Sequence, residues 1–198
     1  MPIVKLKGRT KLERMDDLRR AGLNTSDFVV LKPKPPIITD KAKVLLAANS
    51  RISVRTWLTH RKWDISPHLP NITREEALLR VPELLAKGYH VSVAVGIDPG
   101  ETLVCGSCWK KSPTSYAFDL AFGPGTLRRV MVEGKVEMSV FSNTRQADNP
   151  IIQEIIKTLE DFPLKRIYEW SYYMTKVGWK KKNLIFWEWQ HDGTEVTY

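Results

Sequence analysis

The chain is poor in cysteine: its 198 residues hold two, both inside Cys105-Gly106-Ser107-Cys108. A structural zinc needs four ligands, and neither a second pair nor a histidine at ligand spacing follows, so this motif supports neither a zinc site nor a disulfide scaffold. A thioredoxin-like role wants the pair at a strand-to-helix turn. Here it lies between Thr102-Leu103-Val104 and Trp109 in strand-like sequence, and reads as two small residues packed in a sheet. No stretch approaches the ~18 consecutive apolar residues of a membrane span, and Met1-Pro2-Ile3-Val4-Lys5-Leu6-Lys7 lacks the apolar core of a secretory signal. The expectation is a cytoplasmic protein without a membrane partner. Internal repeats and low-complexity tracts are absent. Histidine is scarce too: His60, His68, His90 and His191 are scattered outside any phosphoryl-carrier pattern. No catalytic nucleophile is assigned.

What the chain does have is apolar material, 42% hydrophobic and 10% aromatic, enough for one compact domain or two small lobes sharing a cleft, with a boundary near 85–95. The formal charge is +9 and the pI about 9.6. Such a surface attracts nucleotides, nucleic acids and acidic proteins at long range. Many of the cations fall in short groups: Arg19-Arg20, Lys32 and Lys34, Lys110-Lys111, Arg128-Arg129 and Lys180-Lys181-Lys182. Each group also reads as an ordinary solvated face.

Hydrophobic spacing organises the chain. Leu12, Met15, Leu18 and Ala21 share one helical face that stops at Gly22, and Phe28-Val29-Val30-Leu31 reads as a strand. Lys32-Pro33-Lys34-Pro35-Pro36 breaks it into an extended connector. Ile52-Ser53-Val54-Arg55 is the next strand, and residues 57–71 read as a surface loop. Thr73-Arg74-Glu75-Glu76 is a capping box opening a helix that buries Ala77, Leu78, Leu84 and Leu85 and ends at Gly88. Val91, Val93, Val95 and Ile97 alternate into Asp98-Pro99-Gly100, which predicts a hairpin into strands at 102–109 and 116–122. A second hairpin is expected from 129–132 to 136–140 around Gly134. Residues 151–162 carry a strong helical stripe, and strands near 166–172 and 183–189 close the chain. The fold class is α+β (mixed α/β), an antiparallel or mixed sheet with a few packed helices.

Four stretches, in order, resemble the ATP-grasp-like nucleotide-binding domain of phosphoenolpyruvate synthase and pyruvate phosphate dikinase. Residues 8–30 are similar to the family's opening, where a glycine- and lysine-bearing turn leads into a helix, a Gly-Leu pair and a strand; Lys7 and Lys11 both stand as its early lysine. Ser53-Val54-Arg55 resembles the Val-Arg segment, which implies that Arg55 contacts phosphates with its planar guanidinium. Residues 91–125 resemble the central sheet, with Val93 and Val95 on the strand that lines adenine and Asp119 at the acidic position. Ile167-Tyr168-Glu169-Trp170 and Asn183-Leu184-Ile185-Phe186-Trp187-Glu188-Trp189-Gln190 resemble the closing strands. There the resemblance implies Glu169 at the metal-nucleotide site. Glu188 and Gln190 stand where the family usually has Gln and Arg, and Glu188, a carboxylate expected on the adjacent strand, is the second expected Mg²⁺ ligand. The sequence departs from the family pattern at Thr56-Trp57-Leu58-Thr59-His60 after the arginine and at Thr126, where the family has glutamate.

The expectation is therefore a nucleotide cleft holding ATP and Mg²⁺, with Arg128 or Arg129 as further phosphate contacts, that drives phosphotransfer or ligase-type activation of an unidentified acceptor. Two alternatives stand beside it. A basic nucleic-acid-binding protein accounts for the charge directly. A catalytically degenerate nucleotide-binding subunit of a larger assembly, with an acidic protein partner, accounts for the departures.

Overall fold

The computed structural model describes residues 4–8, 11–58, 67–125, 128–131, 133–143 and 148–192. In chain order the elements are α1 (Lys11–Arg20), β1 (Phe28–Leu31), α2 (Asp40–Ala48), β2 (Arg51–Trp57), β3 (His68–Thr73), α3 (Arg74–Ala86) and β4 (His90–Val95). After them come β5 (Thr102–Lys110), β6 (Ser115–Phe122), α4 (Arg128–Met131), β7 (Met138–Asn143), α5 (Pro150–Thr158), β8 (Arg166–Val177) and β9 (Lys182–His191). The chain divides into two compact units, one continuous over Ser26–Asp98 and one built from Met1–Thr25 together with Pro99–Tyr198. Each carries its own antiparallel sheet, in agreement with the α+β reading.

In the continuous unit the strands lie in the order β1-β4-β2-β3. Period-two alternation sends Val29, Leu31, Ile52, Val54, Val91 and Val93 to one face, and α2 and α3 cover that face with Ala42, Leu45, Leu46, Ala77, Val81, Leu84 and Leu85. Thr73 caps α3 as expected, its Oγ1 accepting from Glu76 N at 3.2 Å. Pro82 lies inside α3. It frees the carbonyl of Leu78, which stands on the solvent side, 48% exposed, while Val81 takes the core position expected of Leu78.

Three expectations are corrected. Residues 57–71 are not wholly loop, because β3 pairs with β2 from His68; Pro70 is tolerated on this edge strand, where a missing donor is harmless. Asp98-Pro99-Gly100 is no hairpin turn: Pro99–Glu101 forms a single 3₁₀ turn, and β4 and β5 belong to different sheets. Arg128–Met131 is helical, so β7 pairs with β6 instead of with residues 129–132.

The discontinuous unit has the order β7-β6-β5-β8-β9. Trp170, Trp189, Tyr168, Tyr116, Phe118 and Phe186 form the core of one face, packed against Ile152, Ile155, Ile156 and Leu159 from the α5 stripe and Leu18 from α1. Asn149 caps α5 through Ile151 N at 2.9 Å. At its other end Lys110, 1% exposed, turns its ammonium into the protein and donates to the carbonyls of Leu159, Glu160 and Phe162 at 2.7, 2.6 and 2.8 Å. A cation at the negative end of a helix dipole is well placed. Burial nevertheless pulls its pKa down, against the raising effect of Asp161, Cys108 and Glu160.

Cys105 and Cys108 form no disulfide and are buried on opposite faces of β5, Cys108 in the main core and Cys105 with Ala121 and Val130. Burial holds the Cys108 thiol well above its ordinary range. The CxxC spacing is thus a packing feature. Between them, Gly106 faces the backbone of β6 so closely that a β-carbon would sit 2.1 Å from Asp119 O.

Candidate functional site

Because Tyr168, Trp170, Phe186 and Trp189 point into the helix-covered core, the residues between them point the other way. Register then aligns that second face strand by strand. Ser139 of β7 opposes Asp119 of β6, Asp119 opposes Ser107 of β5, Ser107 opposes Glu169 of β8, and Glu169 opposes Glu188 of β9. Five polar side chains form one row across all five strands.

The row is graded in burial. Asp119 is exposed, whereas Glu169 and Glu188 are only 4% and 5% exposed. Directly opposed cross-strand residues have β-carbons roughly 4.5–5.5 Å apart, and like charges so placed repel. Each carboxylate carries a polar neighbour that eases this. Arg14 Nη1 of α1 reaches Glu188 Oε1 at 3.1 Å, and the Gln190 amide donates to Glu169 Oε1 in a short contact. Asp119 accepts from Ser139 Oγ at 2.6 Å. A bulge between Glu169 and Trp170 interrupts the β8–β9 ladder just beside the pair, a common device for re-aiming a side chain.

One step along the strands runs a second row, Phe141, Ala117, Trp109, Ile167 and Gln190. Lys111 Nζ lies 4.3 Å from the Trp109 ring centre and 4.6 Å from that of Phe141, and Trp109 Nε1 donates to Asp192 at 3.1 Å. The acidic row is therefore bordered by aromatic surface and a cation held over it.

The remaining sequence-derived site residues are distributed between the units. Lys7 has an exposed side chain on a segment that folds back along α1, its backbone N–H and that of Gly8 bound by Asp17 at 2.7 and 2.6 Å. Lys11 opens α1 and Arg128 and Arg129 open α4, but their side chains lie outside the described residues, as does Thr126. Arg55 stands on the face of β2 away from α2 and α3, opposite Ser92 and His68. Val93 is fully buried on the other face of that sheet, and Val95 packs at the margin of the same core. The backbone of β4 is paired on both sides, by β1 and β2. An adenine would find no open wall or free backbone edge at Val93.

Arg14 and Ser107 do not stand out in the sequence. Ser107 joins the row through register alone, and Arg14 is one basic residue among several on α1. Among the described residues no cluster of three or more His, Cys, Asp or Glu could hold a metal ion, so a cation here would rest on the Glu169 and Glu188 pair with ligand oxygens completing its shell. No helix is long and apolar enough to cross a membrane among the described residues.

No family model and no curated protein matches the chain. Solved structures do. A D-alanine-D-alanine ligase from Coxiella burnetii superposes with a TM-score of 0.46 at 14% identity, covering 90% of this chain and 47% of that one. N5-carboxyaminoimidazole synthetase from Staphylococcus aureus complexed with ADP gives 0.49 at 12% identity, with 91% and 43% covered. The ATP-grasp ligase PsnB, complexed with a minimal precursor, gives 0.45 at 10% identity, with 93% and 52% covered. The chain is similar to these ligases and spans about half their length.

Proposed function

We propose that the polar face of the five-stranded sheet binds a magnesium-nucleotide complex and that the protein uses ATP for phosphotransfer or for ligase-type activation of an acceptor. The observation that carries this reading is the direct opposition of Glu169 and Glu188, both buried, on the face turned away from the core of α1 and α5. Two adjacent carboxylates are hard oxygen donors, and Mg²⁺ takes one or two of them plus phosphate oxygens. The order of the family-like stretches and the charge of +9 point the same way.

In this reading Glu169 and Glu188 hold the metal, which supplies charge neutralisation at the phosphates when bound. Gln190 orients Glu169, and Arg14 orients Glu188 while limiting repulsion within the pair. Asp119, aimed by Ser139, extends the polar row. Lys7, Lys11, Arg128 and Arg129 are the proposed phosphate contacts of this discontinuous unit, each a positive group of the kind that stabilises charge on a transferring phosphoryl group. Arg55, in the continuous unit, is proposed as a phosphate contact on the resemblance alone. Val93 and Val95 take no part, since their side chains belong to the helix-covered core.

The test is thermal stabilisation by ATP, ADP and GTP with and without Mg²⁺, on the parent chain and on Glu169→Gln, Glu188→Gln and Arg55→Ala. A ligand at 100 times its dissociation constant adds about 2.7 kcal/mol. The expected result is a magnesium-dependent shift that both glutamine variants abolish and Arg55→Ala weakens. Absence of a shift with every nucleotide overturns the reading.

A further inference from the structure

The end of the β8–β9 hairpin concentrates positive charge around one tryptophan. Lys176, Lys180, Lys181 and Lys182 lie within seven positions, and all four side chains are exposed. Arg19 and Arg20 join them from the last turn of α1. Trp179, 37% exposed, has the Arg19 guanidinium 5.5 Å and the Lys180 ammonium 4.9 Å from its ring centre. Arg20 is engaged by Asp16 at 2.7 Å and Asp17 at 3.5 Å. For Lys176, Lys181 and Lys182 no acidic partner occurs among the described residues.

This tip is rigidly seated. Trp179 N donates to Thr25 O at 3.0 Å, Trp179 Nε1 to Leu23 O at 2.8 Å, and Lys180 N to Asn24 Oδ1 at 2.9 Å. Asn24 Nδ2 in turn donates to Val177 O and Leu184 O at 3.0 and 2.8 Å. Gly178, at φ 75°, permits the fit, since a β-carbon there would lie 2.6 Å from both Asn24 Oδ1 and Thr25 O. Holding like charges together costs free energy unless an anion meets them, and here the backbone is fixed so that they stay together.

We propose that this hairpin tip binds the phosphodiester backbone of single-stranded nucleic acid. A peptide held by its apolar side chains or its backbone would need an apolar groove or a free strand edge, and a purely acidic peptide is the competitor the poly-glutamate control addresses. The tip offers neither groove nor edge, because its turn donors and acceptors are taken up by residues 23–25 and α1 packs along β9. What remains is a set of cations fanning out around a turn, with Lys181 in the left-handed region at φ 52°. A flexible strand can bend its phosphates to such a fan, whereas a rigid duplex presents them at fixed spacing.

The experiment is fluorescence anisotropy of the full chain with a labelled oligothymidylate and an oligouridylate across a salt series, alongside a duplex of equal length and a poly-glutamate peptide. The variants are Lys176→Gln/Lys181→Gln/Lys182→Gln and a control that removes the same charge elsewhere, Lys41→Gln/Lys43→Gln/Lys87→Gln, with melting curves to confirm folding. The parent should bind single strands with an affinity that falls linearly with salt on logarithmic axes. The hairpin variant should bind at least about tenfold more weakly and flatten the slope by about 2, at roughly 0.7 for each phosphate no longer neutralised. The control should keep most of the parent's affinity. No binding by the parent, equal weakening in the control, or tighter binding of the duplex or of poly-glutamate overturns the proposal. Because these readouts use no mononucleotide, they stand or fall separately from the proposed ATP site.

Discussion

Arg14 Nη1 and Glu188 Oε1, 174 positions apart in the chain, meet at 3.1 Å. The guanidinium also lies 5.7 Å from the ring centre of Trp189, so one side chain on α1 touches both the acidic row and the aromatic core of β9. The pairing ties the N-terminal helix to the last strand and offsets part of the charge that Glu188 adds beside Glu169.

Arg14→Met should therefore destabilise the protein by about 1–3 kcal/mol in urea titration, the usual cost of leaving a buried polar group without its partner. Adding Glu188→Gln should recover a good part of that loss, because the uncompensated charge goes with it. Additive losses in the double variant would show that the two residues are not coupled.

Lys110→Met keeps an unbranched apolar side chain, shorter by one atom, and removes the three donors. The carbonyls of Leu159, Glu160 and Phe162 are then left without their shared partner at the end of α5. The expected loss is about 3 kcal/mol or more, accompanied by faster amide exchange around residues 159–162. A melting temperature equal to the parent's would contradict the capping role.

Gly106→Ala should be among the most damaging single-methyl additions in the sheet. Its β-carbon would meet Asp119 O at 2.1 Å, and a backbone carbonyl cannot swing aside as a side chain can. The β5–β6 ladder would have to shift at Asp119 itself. We expect a loss of stability by chemical denaturation and a weakened magnesium-nucleotide response, whereas Ser107→Ala, one residue on, should leave stability near the parent's.

Alkaline pH should unfold the protein through its tyrosines. Burial raises the phenols of Tyr116 and Tyr173 from 10 to about 12, and burial raises Tyr168 further still. A raised folded-state value means stability that is fully present below pH about 10 and lost as pH climbs toward about 12. At roughly 1.4 kcal/mol per unit this amounts to up to about 2.7 kcal/mol for each of the first two. Lys110 works in the opposite sense: its lowered value makes the unfolded chain hold more protons below pH 10.5, so its own contribution grows as pH rises. The tyrosines outnumber it. Tyrosinate absorbance and loss of near-UV circular dichroism should appear together, and tyrosine ionisation complete before any unfolding would refute the burial account.

Local chemistry makes much of this fold legible. The Thr73 helix cap, the α5 stripe and the valine alternation of β4 each depend on neighbours in sequence, and each appears where expected. Helix α2 is absent from the sequence expectations although its signals are present: Thr39 caps it through Ala42 N at 3.4 Å, and Ala42, Leu45 and Leu46 fall on one face. The prolines just before it favour an extended reading of the segment. The expected hairpin at residues 98–100 fails for a different reason, since the choice of sheet a strand joins is made by distant partners. The same holds for the site. Glu169 and Glu188 can be picked out individually, but their alignment with Ser107 and Asp119 arises from register across three ladders.

The division of the chain has a temporal side. Ser26–Asp98 is continuous, while its companion unit begins before it and resumes at Pro99. As the chain is synthesised, the β1-β4-β2-β3 sheet is complete in sequence before β5 has been made. Helix α1, by contrast, finds its packing partner β9 only when synthesis passes residue 191. The continuous unit can thus act as an early-folding insert, and the acidic row, which draws on β5 to β9, is assembled last of all.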